Sequence, residues 1–431
     1  MKMKRSVIML LYVMLVIFVI TGCAGNKTSS DTPAATPSGS ANTAQGKPAE
    51  QKEPVTLDLW HYFSEHEGNV FNSMIEKYNT ENTKNVKVVS TFVAREDLMK
   101  QYTMGAISGD LPDIGMVDNP DHASFIIMGV YQDITDLVNA WGQKDKFFEG
   151  PLKSCTFDGK IYGLPHNSNC LALIYNKKLL AEAGIDKVPE TWDELKDAAR
   201  KLTKGDTYGL AISAVKNEEG TFQFMPWFIS AGGSIEDLSS PECIKALKFL
   251  TDLINEGYMS KDVINWTQAD ANSQFIGGKA AMQINGPWNI ANIRNNAPDL
   301  DFGVALVPRD QKHASVLGGE NFGICTGAPR EESFDCLTYI LNAENMANYC
   351  ETAGKFPPRK DALESKEIWT TDPIFSVFAK GMEYAMPRGP HPRWPEISDA
   401  MSTAMHEAFT GVKTPEQAMK DAAAKVSDIL K

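Results

Sequence analysis

Residues 278–288 form the sequence GKAAMQINGPW, which joins a glycine turn, a short apolar stretch and a glycine–proline break. Residues 280–284 carry no charge and are bounded by turn residues, which predicts a buried strand. Pro287 suits the first position of a helix, where its missing N–H has no partner to lose. Trp288 is therefore predicted at a strand-to-helix corner, and such corners open onto clefts in α/β folds.

Strands and helices alternate in the sequence long before this corner. Residues 55–60, 86–93 and the middle of 109–118 have strand patterns, and helical patterns at 70–78 and 96–107 separate them. This alternation predicts a parallel, doubly wound sheet. Ligands of such sheets bind beyond the carboxyl ends of the strands, which places residues 60–65, Asp118 and Asn119 at a cleft.

Three helices show their starting points in the sequence. Residues 189–202 contain a capping box, with Thr191 as cap and Glu194 three residues later. A second helix is predicted to begin after Ser240 and a third after Thr414, each followed directly by proline.

The chain is predicted to cross between two sheets three times. Residues 165–169 separate two strand-like pieces, and proline cannot donate to a ladder, so the chain leaves one sheet there. The strand predicted at 301–308 leads to LGGENFGI at 317–324, a candidate for return to the first domain. The third crossing is expected near the two prolines of residues 354–359.

The N-terminus has the features of an exported protein. Basic residues precede the fourteen apolar residues 7–20, a run too short for a comfortable membrane span, and Ile20-Thr21-Gly22-Cys23 follows. The pattern resembles a bacterial lipobox in which Cys23 is lipidated; an ordinary signal peptide cut nearby is the alternative. Residues 24–54 lack aromatic and long aliphatic side chains, which predicts a disordered spacer.

The remaining 377 residues exceed the length of chain that usually folds around a single hydrophobic core, which predicts two domains. The expected division is a signal peptide at 1–22, a spacer at 23–54, a first lobe at 55–165 plus 305–354, and a second lobe at 166–304 plus 355–431.

The composition bears on partners and cysteine chemistry. The formal net charge is −13, and loss of residues 1–22 with their three cations lowers it to −16, which argues against nucleic-acid or anionic-lipid binding. Six cysteines follow Cys23 at spacings that match no metal motif, and buried free thiols are the preferred interpretation. They are Cys155, Cys170, Cys243, Cys325, Cys336 and Cys350, and Cys155 with Cys170 would be the first disulfide to test.

Taken in order, several phrases resemble those of the family 1 extracellular solute-binding proteins, the maltose-binding-protein-like receptors of ABC importers. These phrases are LWHYFSEHEG, LPDIGMVD, GLP…ALIYNK, PETWDELKDAARKL, GKAAMQINGPW, GGENFGI, AGKFPPRKDAL and TPEQAMKDA. The resemblance implies an α/β fold of two lobes joined by a hinge of several crossovers, which close around a sugar or oligosaccharide and dock on a membrane permease. It further implies a lipid-anchored monomer outside the cell membrane, without cofactor, metal or catalytic residues.

The resemblance also carries a set of ligand-binding positions. Trp227 and Trp288 are the expected stacking platforms, and the other expected positions are His61, Tyr62, Glu65, Asp118, Asn119, His166, Asn167, Gly319, Glu320, Asn321, Arg359 and Trp394, with His66 beside Glu65. The alternative for Tyr62 and the tryptophans is a place in the core, and the alternative for His61 and His66 is a solvated loop. Flanking prolines favour exposure of Trp394.

Two other functions remain open at this point. An exported glycoside hydrolase would also present tryptophans and carboxylates, since it needs two carboxyl groups at a defined separation. A receptor for a polyamine or a glycerophosphodiester would keep the fold and change the cargo. Arg388 and Arg393, in a proline-rich basic segment, would suit an anionic sugar.

If Cys23 carries the lipid, Cys23→Ser will release the protein from the membrane or leave it unprocessed. Cell fractionation followed by mass determination of the N-terminus measures both outcomes. Processed Cys23→Ser protein that still sediments with membranes would show that something else holds it there.

Overall fold

The structure, a computed structural model, describes residues 53–63 and 65–431, apart from the side chain of Glu65. The predicted signal peptide, the lipidation site Cys23 and nearly all of the spacer lie outside these residues. The described residues belong to one compact unit. Within them, no helix is both long and apolar enough to cross a bilayer.

Most of the strands belong to two sheets. In chain order the strands of the described residues are β1 (Val55–His61), β2 (Val86–Phe92), β3 (Ile114–Asp118), β4 (Thr156–Phe157), β5 (Lys160–Ile161), β6 (Leu164–Pro165), β7 (Ala172–Asn176), β8 (Tyr208–Ala211), β9 (Ala280–Asn285), β10 (Phe302–Ala305), β11 (Ser315–Leu317), β12 (Glu320–Ile324) and β13 (Ala385–Pro387). The larger sheets have the orders β2-β1-β3-β12-β6 and β10-β7-β9-β8, and β11 pairs with β13, and β4 with β5, in two small sheets.

The first sheet is parallel only in part. Strand β1 pairs in parallel with β2 and β3, as the alternation of strands and helices predicts. Strand β12 instead runs antiparallel to both β3 and β6. The first sheet is therefore mixed, because β12 arrives from the other sheet rather than through a strand–helix–strand crossover.

The second sheet is centred on the strand predicted at 280–284. All six residues of β9 are buried, with β7 antiparallel on one side and β8 parallel on the other. A charged side chain on a strand covered on both faces would be buried at a high cost in free energy, which explains why this segment lacks charge.

Helices cover both sheets. In chain order they are α1 (Glu65–Glu81), α2 (Arg95–Ser108), α3 (His122–Ile127), α4 (Thr135–Trp141), α5 (Glu149–Ser154), α6 (Lys177–Glu182), α7 (Trp192–Leu202), α8 (Glu218–Ser230), α9 (Pro241–Asn255), α10 (Gln268–Ile276), α11 (Ile290–Asn296), α12 (Arg330–Ile340), α13 (Ala343–Ala353), α14 (Lys360–Glu364), α15 (Ile368–Thr371), α16 (Phe375–Met382), α17 (Trp394–Phe409) and α18 (Pro415–Leu430). Helices α8, α9, α17 and α18 pack together over the second sheet.

The predicted helix starts are confirmed. Thr191 accepts a hydrogen bond from the Glu194 N–H, and the Glu194 carboxylate accepts one from the Thr191 N–H, which completes the capping box. Ser240 and Thr414 cap α9 and α18 in the same way, through one bond each. A side-chain cap of this kind contributes about 1 kcal/mol to the free energy of unfolding.

Two of the predicted crossings match strand positions. The chain leaves the first sheet after β6 and enters the second at β7, and it returns between β10 and β12. Near the third expected crossing, Arg359 still contacts Leu341 and Gln143, which the proposed division assigns to the first lobe. The residue bounds of the two lobes stay a prediction.

The six cysteines after Cys23 are free and buried, as the preferred interpretation holds. Burial raises the pKa of the Cys170 thiol to about 12. The thiols of Cys155 and Cys325 are shifted in the same direction for the same reason. Such thiols stay protonated and are poor nucleophiles.

Trp227 lies in the core of the second lobe, 0 % exposed, with its ring centroid 5.9 Å from Trp192 and 5.6 Å from Phe249. Trp227→Ala will therefore lower the free energy of unfolding by about 3–5 kcal/mol, because the surrounding side chains cannot fill the cavity left behind. Denaturant unfolding measures the loss. Trp266→Ala, at a partly buried tryptophan beside a small alanine cluster, is the control and should cost less. Equal losses would contradict the core assignment.

Candidate ligand-binding site

A cavity of about 390 Å³ lies between the two lobes. Its wall is made by the first turns of helices α1, α2, α8 and α10, the ends of β3 and β12, and the turn after β9. The lining residues are Tyr62, His66, Glu67, Arg95, Asp118, Asn169, Glu218, Glu219, Phe222, Thr267, Gln268, Ala269, Asn272, Ser273, Trp288, Asn289, Asn292, Gly318, Gly319, Glu320, Lys355 and Arg388. The cavity is at the carboxyl ends of β1 and β3, where the sequence predicts ligand binding.

Trp288 lines the cavity from the corner that the sequence predicts. Pro287 begins a short 3₁₀ turn that leads directly into α11. A Cβ atom at Gly286 would lie 1.8 Å from the indole ring, so only glycine allows the ring to fold back over this position. The partly buried ring has Lys355 Nζ at 5.0 Å and the Phe222 ring at 6.3 Å from its centroid.

A chain of buried amides supports this corner from below. Asn289 donates to Asn285 at 2.7 Å, Asn285 donates to Gln283 at 2.9 Å, and Gln283 donates to Asn272 at 2.8 Å. These bonds connect the turn, strand β9 and helix α10. Each of these four amides has a hydrogen-bond partner, so the polar wall is held in place and none of the four is left unsatisfied.

Arg388 and Asp118 line the cavity and bind each other directly. Two guanidinium nitrogens of Arg388 lie 3.0 and 2.7 Å from the two Asp118 oxygens, a bidentate pair. The same guanidinium binds Glu218 Oε1, and the other Glu218 oxygen accepts from the indole N–H of Trp394 at 3.0 Å. Arg95 lies 2.8 Å from Asp121 and 3.5 Å from Asp118.

A second charged cluster joins Lys355 to two carboxylates. Lys355 Nζ lies 2.9 Å from Glu67 and 3.8 Å from Glu320. Burial raises the pKa of Glu320, and the nearby Lys355 opposes that shift. Burial opposes the charge of Lys355, but Glu320 and Glu67 outweigh it and raise the pKa of the amine.

Two lining groups keep hydrogen-bonding capacity toward the cavity. The Tyr62 hydroxyl is buried and has no hydrogen-bond partner among the described residues. Glu219 accepts a bond from the Gln268 backbone N–H at 2.8 Å, and burial raises the pKa of its carboxyl. A carboxylate has about four acceptor positions, so Glu219 can accept further bonds from a ligand.

Five of the residues predicted for binding line the cavity. They are Tyr62, Asp118, Trp288, Gly319 and Glu320, and His66 lines it as well. Gly319 has φ +140°, and a Cβ there would lie 2.1 Å from the Asn167 carbonyl oxygen, so the close approach requires glycine. The side chain of Glu65 lies outside the described part. Direct binding by each of these residues stays a prediction.

Two predicted residues lie just behind the wall. Asn119 accepts a bond from Arg388 at 3.4 Å and does not line the cavity. Trp394 is 0 % exposed, so the expectation of exposure is wrong. It begins α17, and packing of this helix against α8 covers the indole despite the flanking prolines.

The structure does not bring the remaining predicted residues to the cavity wall. His61 and His166 are buried among aromatic rings, and burial lowers the pKa of His61 to about 4 and that of His166 to about 3. Asn321 donates to Ser154 at 2.9 Å, and Asn167 is also buried. Trp227 belongs to the core of the second lobe.

Arg359 is likewise away from the cavity. It is 3 % exposed, donates to both Asp361 oxygens and lies over the rings of Trp141 and Phe147 at 5.5 and 5.3 Å. Its donors and its flat faces are therefore used inside the first lobe. The proline-bearing phrase in which it lies gave no indication of these partners.

The sequence analysis missed several lining residues that begin helices. Arg95 opens α2, Glu218 and Glu219 open α8, and Gln268 opens α10. The segments before α2 and α8 are strands, so the rule that ligands meet the carboxyl ends of strands could have indicated Arg95 and Glu218. Nothing in the sequence near Lys355 indicates that it reaches the same cavity.

Two α/β lobes around a cavity of aromatic and polar groups are the architecture expected of a solute-binding protein. A sequence model of the bacterial extracellular solute-binding proteins matches residues 73–377, well over half of the chain. The chain belongs to this family. It is a binding protein rather than an enzyme, which sets aside the hydrolase alternative.

Relatives and solved structures agree with this assignment. An ABC transporter solute-binding protein from Thermotoga lettingae, bound with α-D-tagatose, is 29 % identical with a TM-score of 0.79, and the match covers 88 % of this chain and 100 % of the other. The maltotriose-binding protein of Pyrococcus abyssi is 26 % identical over 77 % of this chain and 73 % of its own length. The sn-glycerol-3-phosphate-binding periplasmic protein of Shigella dysenteriae is 23 % identical over 88 % and 93 %.

If Trp288 supplies an apolar face to the ligand, Trp288→Ala will weaken binding about five- to 150-fold, from the apolar contact area lost. Calorimetric titration with a sugar that binds the unaltered protein measures the change. Unfolding of the same variant should show a smaller stability loss than Trp227→Ala. Unchanged affinity together with a large stability loss would make Trp288 a core residue instead.

Proposed function

We propose that the protein captures a sugar or oligosaccharide in the cavity between its lobes and delivers it to the permease of an ABC importer. The observation that carries this proposal is the combination of two aromatic rings, Trp288 and Phe222, with carboxylates and amides in one cavity. Sugar rings offer apolar faces to aromatic side chains and hydroxyls to carboxylates and amides. The tagatose and maltotriose bound by two relatives support the same class of ligand.

The charges of the cavity favour a neutral ligand over an anion. Five carboxylates and three cations line it. Each of those cations is held by at least one carboxylate within 3.0 Å, namely Arg388 by Asp118, Arg95 by Asp121 and Lys355 by Glu67. A phosphate would have to displace one of these carboxylates, at the cost of leaving it buried and unpaired.

The relative that binds sn-glycerol 3-phosphate makes an anion the second candidate ligand. Because carboxylates outnumber cations in the cavity, a polyamine is the third candidate. A polyamine would be neutralised by Glu219 but would gain little from the two aromatic faces beyond cation–π contact. A sugar uses both kinds of group, which is why we favour it.

Delivery to the permease and attachment through Cys23 complete the proposal. The family is extracellular, and a lipid at Cys23 with a spacer of about thirty residues would keep the receptor near the membrane. Lobe closure around the ligand would bury the cavity and present a changed surface to the permease.

A thermal-shift panel tests the ligand class. Maltotriose, mannobiose and tagatose represent neutral sugars, sn-glycerol 3-phosphate and glucuronate represent anions, and spermidine represents polyamines. A ligand at a hundred times its Kd adds about 2.7 kcal/mol to the free energy of unfolding, so a cognate sugar will raise the melting temperature clearly.

The control is Trp288→Ala, in which the shift produced by a bound sugar should shrink. Stabilisation by sn-glycerol 3-phosphate or spermidine alone, with none from a wider set of neutral mono- and oligosaccharides, would contradict sugar binding and leave the solute-binding assignment intact.

A further inference from the structure

We propose that Arg388 fastens the two lobes to each other across the cleft, and so sets how far the ligand-free protein is closed. This inference goes beyond the proposed sugar-binding function, because it concerns the protein before any ligand binds. It makes Arg388 a positioning residue rather than a ligand-binding one.

The contacts of Arg388 belong to both lobes. Asp118 is the last residue of β3 in the first sheet, and its carboxylate receives the bidentate pair from Arg388. Glu218 is the first residue of α8, which packs in the core of the second lobe. The guanidinium thus connects a strand end on one side of the cleft to a helix start on the other.

All five N–H donors of Arg388 are used by these and neighbouring groups. Nε donates to the Leu317 carbonyl at 3.4 Å, and the two terminal nitrogens donate to Asp118, Glu218 and Asn119. The flat face of the guanidinium lies 4.4 Å from the Phe222 centroid, and the residue is 4 % exposed. No donor is left over for a ligand, although the side chain lines the cavity.

The segment that carries Arg388 meets the first lobe at a second point. The Ser124 hydroxyl, on α3, donates to the Pro392 carbonyl at 2.6 Å. This segment follows β13, which pairs with β11, and leads into α17 of the second lobe. Separation of the lobes at Asp118 would therefore expose the guanidinium and a carboxylate to water. It would also break the hydrogen bond between Ser124 and Pro392.

We expect Arg388 to favour the closed form without preventing the lobes from opening. In a buried ion pair, loss of hydration offsets much of the Coulomb attraction, and opening lets both ions regain water. We expect Arg388 to shift the balance of closed to open forms about five- to 150-fold, the usual range of coupling between two parts of a protein.

Arg393 offers a matched control on the same segment. It is exposed, and its guanidinium pairs with Glu396 in the first turn of α17, the helix that Arg393 directly precedes. Arg393→Gln removes the same charge from the same stretch without touching the cleft, whereas Arg388→Gln removes the connection between the lobes.

The test uses small-angle scattering on the full mature chain without ligand, carrying Cys23→Ser so that no lipid is attached. Arg388→Gln should have a larger radius of gyration than the parent protein, and Arg393→Gln should match the parent. Arg388→Lys keeps the charge but not the bidentate contact. Its radius of gyration should lie between those of the parent protein and Arg388→Gln.

Melting curves confirm that each variant is folded. A folded Arg388→Gln with the parent's radius of gyration overturns the inference. If Arg388→Gln fails to fold, Arg388→Lys decides. An increased radius of gyration supports a connection between the lobes through Arg388, and an unchanged radius overturns it. Because no ligand is present, either result leaves the proposed sugar binding to be judged by its own panel.

Discussion

The cleft of this protein depends on the pairing of buried charges, above all on the guanidinium of Arg388 between Asp118 and Glu218. A solute site needs polar groups in a place with little water, and each such group costs free energy unless it is compensated. The protein meets this constraint with carboxylates and cations from distant parts of the chain. The resulting cavity is polar but offers no unpaired lining cation among the described residues, which limits what can bind there.

The apolar frame of the second lobe holds those charges in position. Strand β9 is buried on both faces and ends in the turn that carries Trp288, and Gly286 leaves room for the indole ring. Beneath the turn, the Asn285 amide donates to the Gln283 side-chain oxygen, and the Gln283 amide donates to Asn272. The corner is therefore rigid, and a rigid corner loses little conformational entropy when a ligand binds.

Sequence patterns predicted the elements whose causes are local. The capping box at Thr191, the buried strand β9 and the crossing after Pro165 each follow from residues a few positions apart. The same patterns failed for Trp394, because its prolines indicated exposure while the packing of α17 on α8 covers it. The family resemblance placed Arg359 in the site, although its carboxylate and aromatic partners lie inside the first lobe.

By itself, the sequence determined the α/β class, the order of most strands and helices and the corner at Trp288. Hydrophobic period, caps and turn residues act over one or two turns of chain, so they can be recognised without a fold. Only the tertiary structure decided which polar residues share the cavity. Arg95, Glu218, Lys355 and Arg388 are far apart in the sequence, and whether each charge meets water, a ligand or another charge depends on which elements the folded chain packs around it.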